Sequence, residues 1–369
     1  MKKIMALILC LVFCLAAFPA MAGEAAETAE SLMEQAQALY DVGDFGKAVE
    51  LIAKAAETGD ALAQYVLGNA YDFALGVDRD EQKAAEYYKL SADQGYVPAQ
   101  VALGSLCLNS LTLEADPETA LKYIRLAADQ NDPLGLYFLG VCYEAGRGVE
   151  QDEEKAIEYY RPSADQGLVD AQYRLGVMYQ LGIGTEPDYD QAFHYYGLAA
   201  AQNHPEALTA MGYFYSQGLG TERNTDEMLK YYKAAADMGE PMALFNLGCC
   251  YRDGTGVEQD NEEMLKNFTL AVDLGNANAQ FNLGFCYYIG QGVEQDYNEA
   301  FRLYQLAADQ AFPVAMFAVG DCYYLGTGAE KDLGAAAEWY QKALDAGYEP
   351  DETDQAHLKE VLGKDSSNP

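Results

Sequence analysis

The sequence predicts an all-α fold, a solenoid of stacked antiparallel helix pairs. Three observations carry that prediction. Glycine recurs at Gly68, Gly104, Gly140, Gly176, Gly212, Gly248, Gly284 and Gly320, each 36 residues after the last, and a period of this length marks a repeat architecture. An Asp or Asn recurs at Asp80, Asp116, Asp152, Asp188, Asn224, Asp260, Asp296 and Asp332. Tyrosine recurs in two registers of its own.

The first helix of each repeat is read from residues such as Ala171, Leu175 and Tyr179, which stand at i, i+4 and i+8 as one apolar stripe. Gly176 lies inside that helix. Glycine in a helix interior costs about 1 kcal/mol relative to alanine. Its return at one point of eight helices requires a compensating close approach of another helix, where a β-carbon would collide. A glycine pair then ends the helix in most repeats: Gly146/Gly148, Gly182/Gly184, Gly218/Gly220, Gly254/Gly256, Gly290/Gly292 and Gly326/Gly328. Glycine just past a helix takes the left-handed conformation that satisfies the last carbonyls. The first repeat keeps only Gly76, and the second has Ser110 and Thr112 instead. The turns of these two are expected to differ from the other six.

The second helix begins at the recurring Asp or Asn, whose short oxygen-bearing side chain accepts from free backbone N–H groups. Glu227, Glu263 and Glu299, three residues on, are expected to complete capping boxes. The helix runs, for example, through Ala156, Tyr159, Tyr160 and Ala164 to Gly167. Eight such pairs cover residues 61–348. A single pair cannot bury its stripe and must stack on its neighbours.

The pattern Ala-x-x-x-Leu-Gly-x-x-Tyr, then Gly-x-Gly, Asp, Ala-x-x-Tyr-Tyr and Ala-Ala-x-x-Gly resembles the Sel1-like repeat, a relative of the tetratricopeptide repeat. The resemblance implies a right-handed α/α superhelix of eight repeats over residues 61–348. It also implies a concave face that binds a partner protein, and the role of a non-enzymatic scaffold that assembles or regulates other proteins.

The flanks read differently. Met1-Lys2-Lys3 is basic, residues 4–18 are apolar, and Ala20-Met21-Ala22 offers the small residues that signal peptidase reads. Residues 1–22 are therefore expected to be a signal peptide, cleaved before Gly23. The apolar run is shorter than a membrane span. Large apolar residues precede Cys10 and Cys14, which argues against a lipid anchor. The expected destination is an exported compartment, periplasmic or secreted, of a bacterium. Residues 23–60 give an acidic extension and a tetratricopeptide-like capping hairpin, with Ala36, Leu39 and Tyr40 before a Gly43-Asp44-Phe45 turn and Ala48, Ile52, Ala55 and Ala56 after it. Residues 349–369 give a capping helix through His357, Leu358, Val361 and Leu362, and a polar tail.

Lys and Arg number 23 against 58 Asp and Glu, a net charge of −35. Such a chain repels phosphate backbones and anionic lipid, so nucleic acid and membrane headgroups are poor partners. Two positive readings stay open: a solvated acidic surface that keeps a solenoid monomeric, or a dedicated basic partner.

Cys142, Cys250, Cys286 and Cys322 share one register, two residues after the spine glycine, where other repeats carry Met178 and Phe214. A column shared with Met and Phe reads as core, and free cysteine behaves as a small apolar residue. Successive repeats hold equivalent positions farther apart than the roughly 7 Å limit for a disulfide. With Cys107 and the adjacent Cys249, these cysteines are expected to be reduced thiols. The 29 tyrosines fall mostly in two registers. Tyr71, Tyr143, Tyr179, Tyr215, Tyr251, Tyr287 and Tyr323 form one; Tyr88, Tyr160, Tyr196, Tyr232, Tyr304 and Tyr340 form the other, with Ile124 and Phe268 in place of tyrosine. Apolar replacements at fixed register mark stacked core rather than a ligand cage.

Catalytic signals are poor. Three histidines, His194, His204 and His357, form no metal motif. The Gly-x-Gly loops lack a third glycine or a Gly-Lys-Ser, and Glu150, Glu258 and Glu294 would oppose a phosphate there. No loop has the ligand spacing of a calcium site. No cofactor, metal or catalytic residue is expected. The rival functional class is a β-lactamase-like or small-molecule-binding protein, because cysteine-rich relatives of the resembled family have been so described. Those relatives carry two bridged cysteines per repeat, a pattern absent here.

Function is left to the first-helix positions that vary between repeats. By resemblance to tetratricopeptide domains, residues one and four places after the spine glycine point into the concave face. They are Asn69/Asp72, Ser105/Leu108, Val141/Glu144, Val177/Gln180, Tyr213/Ser216, Cys249/Arg252, Phe285/Tyr288 and Asp321/Tyr324. The later repeats gather Tyr213, Arg252, Phe285, Tyr288 and Tyr324, residue types that dominate interface energetics. These five are the expected partner-binding residues, with Arg252 for a carboxylate. The competing reading is that they pack against the adjacent repeat.

Overall fold

The computed structural model describes residues 28–109 and 117–363, and among these it contains nineteen helices and no strand. The chain divides into two compact units, Met1–Gln151 and Asp152–Pro369. The first unit opens with a hairpin of α1 (Ala29–Asp41) and α2 (Phe45–Glu57). It continues with the pairs α3 (Ala61–Asp72) and α4 (Glu81–Ala92), then α5 (Val97–Asn109) and α6 (Pro117–Ala128), and ends on α7 (Pro133–Ala145). The second unit begins with α8 (Glu153–Asp165). Five pairs follow: α9 (Val169–Leu181) with α10 (Tyr189–Ala201), α11 (Pro205–Gln217) with α12 (Thr225–Asp237), α13 (Pro241–Asp253) with α14 (Asn261–Asp273), α15 (Ala277–Ile289) with α16 (Tyr297–Ala308), and α17 (Pro313–Leu325) with α18 (Leu333–Asp345). A final helix, α19 (Glu352–Leu362), packs Leu358 on Phe317, Ala336, Tyr340 and Ala343.

The spine glycines and one tyrosine register are two halves of one device. A β-carbon on Gly176 would stand 2.5 Å from Cδ1 of Tyr196, inside any tolerable contact. The same holds for Gly68 under Tyr88, Gly212 under Tyr232, Gly284 under Tyr304 and Gly320 under Tyr340, and for Gly104 and Gly248 under Ile124 and Phe268. The helix gives up a side chain so that the aromatic ring of its own partner helix can sit against its backbone. These rings are core: Tyr88, Tyr196, Tyr232, Tyr304 and Tyr340 are all buried. In the other register most rings are half-buried, and their backbone carbonyls do a second task. Tyr179 O accepts from the N–H of Asp188 at 2.8 Å, and Tyr71, Tyr215, Tyr251, Tyr287 and Tyr323 do the same for the Asp or Asn that opens the next helix.

The recurring Asp and Asn cap the second helices as expected. Asp188 Oδ1, for example, accepts from the N–H groups of Asp190 and Gln191 at 3.1 and 3.0 Å. Asp116 lies outside the described residues. The capping boxes expected at Glu227, Glu263 and Glu299 do not form. Their side chains instead pair forward with Lys230 at 2.8 Å, Lys266 at 3.0 Å and Arg302 at 2.5 Å. The reason is that the N–H a capping box would satisfy is already taken by the tyrosine carbonyl, as in Asn224 N to Tyr215 O at 3.1 Å. A reciprocal box forms instead in α19, between Asp351 and Asp354.

The turn of the first repeat differs from the others as expected, but only in part. Helix α3 ends at Asp72, one residue earlier in register than the later first helices, and its cap is Phe73 rather than a left-handed glycine. Ala74 takes the left-handed φ of 57°. Leu75 N–H then reaches Ala70 O at 2.8 Å, the bond that Ile183 makes to Met178 O at 2.9 Å. The second repeat's turn, with Ser110 and Thr112, lies outside the described residues, as do residues 1–22.

A side-chain ladder runs beside this core. Gln64, Gln100, Gln172 and Gln280 are buried polar residues in one register. Each accepts from a second glutamine of its own repeat: Gln94 at 2.8 Å, Gln130 at 3.0 Å, Gln202 at 2.8 Å and Gln310 at 2.8 Å. Gln64, Gln100 and Gln172 also donate to a carbonyl at the end of the preceding helix, Ala56, Ala92 or Ala164. These carbonyls of the last helical turn lack the usual partner four residues on, and each also accepts from the N–H of the following glycine, Gly59, Gly95 or Gly167.

The cysteine column is core as expected. Cys142, Cys250, Cys286 and Cys322 are buried beside the equivalent Met178 and Phe214, and burial pushes each thiol up to about 11.

Candidate functional site

The variable positions of the first helices divide into two kinds. Some serve the tyrosines of their own repeat. A buried hydroxyl needs a partner, and Tyr88 donates to Asn69 Oδ1 at 2.8 Å and Asp72 Oδ2 at 3.2 Å. Tyr196 likewise donates to Gln180 Oε1 at 2.7 Å, and Tyr340 to Asp321 Oδ1 at 2.8 Å. Where Ile124 and Phe268 replace tyrosine there is no hydroxyl to satisfy, and the two positions hold Ser105/Leu108 and Cys249/Arg252. Others serve no such need. Tyr213 and Phe285 are 42% and 45% exposed.

The five expected partner-binding residues are therefore not one patch of equals. Phe285 and Tyr288 come together on α15. Arg252 is engaged within the chain: its guanidinium donates to both carboxylate oxygens of Asp253 at 2.8 and 3.1 Å and to Asn282 Oδ1 at 2.8 Å. The carboxylate expected of a partner is supplied by the next residue. Tyr324 is held by α19, where its hydroxyl donates to Glu360 Oε2 at 2.5 Å and its ring lies 4.6 Å from that of His357. Tyr213 stands on α11, two pairs earlier than α15.

Phe285 and Tyr288 line a cavity of about 210 Å³. Phe281 joins them one turn back on α15, and Tyr304 closes the floor from α16. Helix α17 contributes Phe317 and Asp321, the approach to α19 contributes Tyr348, and the first turn of α19 contributes Asp354. The aromatic walls are braced: Phe317 lies 4.6 Å from both Tyr340 and Tyr348, and Phe281 lies 5.4 Å from Tyr304. Two carboxylates meet this apolar space. Asp321 Oδ1 accepts from Tyr340 and lies 2.9 Å from His357 Nδ1. Asp354 Oδ2 accepts from the Tyr348 hydroxyl at 2.7 Å and the Asp351 N–H at 3.1 Å. Burial holds the Asp321 carboxyl above the usual carboxylate range, opposed by its hydrogen bonds with Tyr340 and His357.

The repeat register names Phe285, Tyr288 and Asp321, which line this cavity, and does not name Asp354 or Tyr348, which line it too. Asp354 falls beyond the last repeat, where no register reaches.

The other chemistry-bearing groups are structural. His204 Nδ1 accepts from Ala207 N–H at 3.3 Å and caps α11, with its ring stacked 4.5 Å from Tyr173. His194 is exposed on α10. His357 and Asp321 have the relation of a base and its orienter, but the neighbouring Cys322 thiol, pushed up to about 11 by burial, stays protonated at neutral pH and is a poor nucleophile. Among the described residues no group of His, Cys, Asp and Glu is arranged to hold a metal ion, and no helix is long and apolar enough to cross a membrane.

Comparison with known proteins agrees with this architecture. The Sel1 repeat model matches residues 37–60, 61–96, 97–132, 133–168, 169–204, 205–240, 241–276, 277–312 and 313–348. The chain is similar to c5321, described as a protective antigen present in uropathogenic Escherichia coli strains and displaying an SLR fold. Identity is 31% over 85% of this chain and 67% of that one, with a TM-score of 0.70. It is also similar to a Sel1 repeat protein from Oxalobacter formigenes, at 29% identity over 68% of this chain and 99% of that one, TM-score 0.62. No curated protein matches the chain. Repeat matches from residue 37 to residue 348, over the glycine and tyrosine device described above, place the chain in the Sel1 repeat family.

Proposed function

We propose that this protein is a non-enzymatic scaffold, exported from a bacterial cell, that binds a partner protein through the first-helix residues of its later repeats. The observation that carries this reading is the exposure of Tyr213 and Phe285 at a position that elsewhere, as Asn69 and Asp321, caps a buried tyrosine. Large apolar side chains held open on a rigid helix are the groups that supply most of an interface's energy. Sel1 repeat proteins are commonly protein-interaction scaffolds, and the chain's net charge of −35 turns nucleic acid away. Export rests on the basic, apolar and Ala-x-Ala sequence of residues 1–22. That c5321 is described as a protective antigen fits the same reading.

The test is affinity capture from the native envelope fraction with the mature chain as bait, followed by mass spectrometry and reconstitution with the purified candidate. A polypeptide that binds the wild-type chain and not a Tyr213→Ala/Phe285→Ala variant supports the proposal. Hydrolysis of a chromogenic β-lactam by the purified chain would overturn the non-enzymatic part.

A further inference from the structure

The scaffold reading says that a polypeptide docks on the later repeats; the cavity beside Phe285 says what part of it enters. We propose that this cavity receives a cationic side chain, lysine or arginine, of the partner. The inference rests on the scaffold reading for its source of the cation, and on the cavity alone for its chemistry.

Size is the first constraint. About 210 Å³ is below the roughly 300–1,000 Å³ of pockets that enclose drug-sized ligands, and it suits one side chain. The walls are the second. Phe285, Tyr288, Phe317 and Tyr348 present aromatic rings to the space, and an aromatic face attracts a cation within about 6 Å of its centroid. Charge is the third. Asp321 and Asp354 are the charged groups of the lining, and neither Lys nor Arg is among it. The hydrogen bonds of each carboxylate fall on one oxygen, Oδ1 of Asp321 and Oδ2 of Asp354. A carboxylate has about four acceptor sites, so both retain capacity for an incoming N–H donor.

An apolar side chain fits the walls but offers nothing to the half-buried carboxylate of Asp321, which has only Tyr340 and His357 as partners. A cation supplies a full counter-charge there and meets the exposed ring of Phe285 as well. The surrounding field works the same way. A chain of net charge −35 raises the local concentration of basic segments and speeds their encounter. Phe285, exposed at the rim, leaves the cavity open to a side chain arriving from solvent. An aromatic site with two carboxylates and neither Lys nor Arg in its lining is built for a positive guest.

The experiment is a titration of the isotope-labelled mature chain with N-acetyl-arginine amide, followed by amide chemical shifts, with N-acetyl-citrulline amide as the neutral isostere. The arginine probe is expected to give saturable shifts confined to α15, α17 and the start of α19, with a Kd of about 1–5 mM. Citrulline should bind at least about tenfold more weakly, the equivalent of about 1.4 kcal/mol. Asp321→Asn keeps the hydrogen-bond acceptor for Tyr340 but removes the charge, and Phe285→Ala removes an exposed ring. Each should weaken the arginine probe about tenfold while the chain stays folded by thermal melt. Equal binding of citrulline, an Asp321→Asn variant that binds arginine as wild type does, or no saturable shift up to about 20 mM probe overturns the proposal. The two readings fail separately. A reconstituted partner that binds Asp321→Asn and wild type alike leaves the scaffold and removes the cation pocket. An arginine-specific cavity on a chain that retains no polypeptide removes the scaffold and leaves the pocket's chemistry.

Discussion

The side-chain amide of Gln202 donates to Gln172 Oε1 at 2.8 Å and to Gly167 O at 3.0 Å, tying the end of α10 to α9 and to the turn before it. Every repeat with a glutamine at the first position has one at the second: Gln64 with Gln94, Gln100 with Gln130, Gln280 with Gln310. Leu208, Leu244 and Met316 stand with Met238, Leu274 and Ala346, and Leu136 alone keeps a glutamine, Gln166, at the second position. A buried amide without its partner costs about 1–3 kcal/mol, whereas replacing both by apolar groups is close to neutral. Gln172 is the buried member, so Gln202→Met alone, which leaves its Oε1 without a donor, should cost about 1–3 kcal/mol. Gln172→Leu/Gln202→Met, which copies Leu208 and Met238, should recover most of it. Chemical denaturation of the four members of the cycle measures a coupling of at least about 1 kcal/mol.

Gly176→Ala should destabilise, against the usual direction of the change. In an open helix this substitution gains about 1 kcal/mol. Here the new β-carbon would lie 2.5 Å from the Tyr196 ring, and overpacking of a core costs about 1–3 kcal/mol. A drop in unfolding free energy on Gly176→Ala that is absent in a Tyr196→Leu background checks the pairing of glycine and ring.

Ala74→Gly should stabilise. Ala74 holds a φ of 57°, a conformation that costs an L-residue about 1–2 kcal/mol. Glycine removes that strain but adds about 0.4–1 kcal/mol of unfolded-state entropy. The expected net gain is about 0.5–1 kcal/mol, read from the same denaturation curves.

The buried thiols should be slow to react and sensitive to alkaline pH. At pH 8 a disulfide reagent is expected to modify Cys142, Cys250, Cys286 and Cys322 only after denaturation, because a protonated, buried thiol is a poor nucleophile. Burial raises the Cys286 pKa from 9.0 in the open chain to about 11 in the fold. A raised folded-state pKa means that the folded chain holds the proton more tightly, so its contribution is complete below pH 9 and is lost as pH rises toward 11. The stability advantage of wild type over Cys286→Ala should shrink across that window.

Most of the fold was legible because it is periodic. Gly176 with Tyr196, Asp188 as a cap and Met178 beside the cysteine column each repeat in enough copies to show their register and their environment. The glutamine pairs are not legible in the sequence because half of the repeats carry Leu or Met at the first position, and one of these, Leu136, still has a glutamine, Gln166, at the second. The capping boxes failed for a reason invisible in the sequence: the Tyr215 carbonyl reaches the Asn224 N–H before Glu227 can. The site was legible in part. Phe285 and Tyr288 follow from the repeat register, whereas Asp354 and Glu360 belong to a helix outside the period. Their contacts with the cavity and with Tyr324 depend on where the array stops.

The most direct measurement is binding of a reconstituted partner by a Tyr213→Ala/Phe285→Ala variant alongside its thermal unfolding. Exposed rings reserved for an interface predict at least a tenfold loss of affinity, about 1.4 kcal/mol, with a melting temperature within about 2 °C of wild type. Unchanged affinity, or a fall in melting temperature of about 8 °C or more, would contradict the account and return both residues to the core.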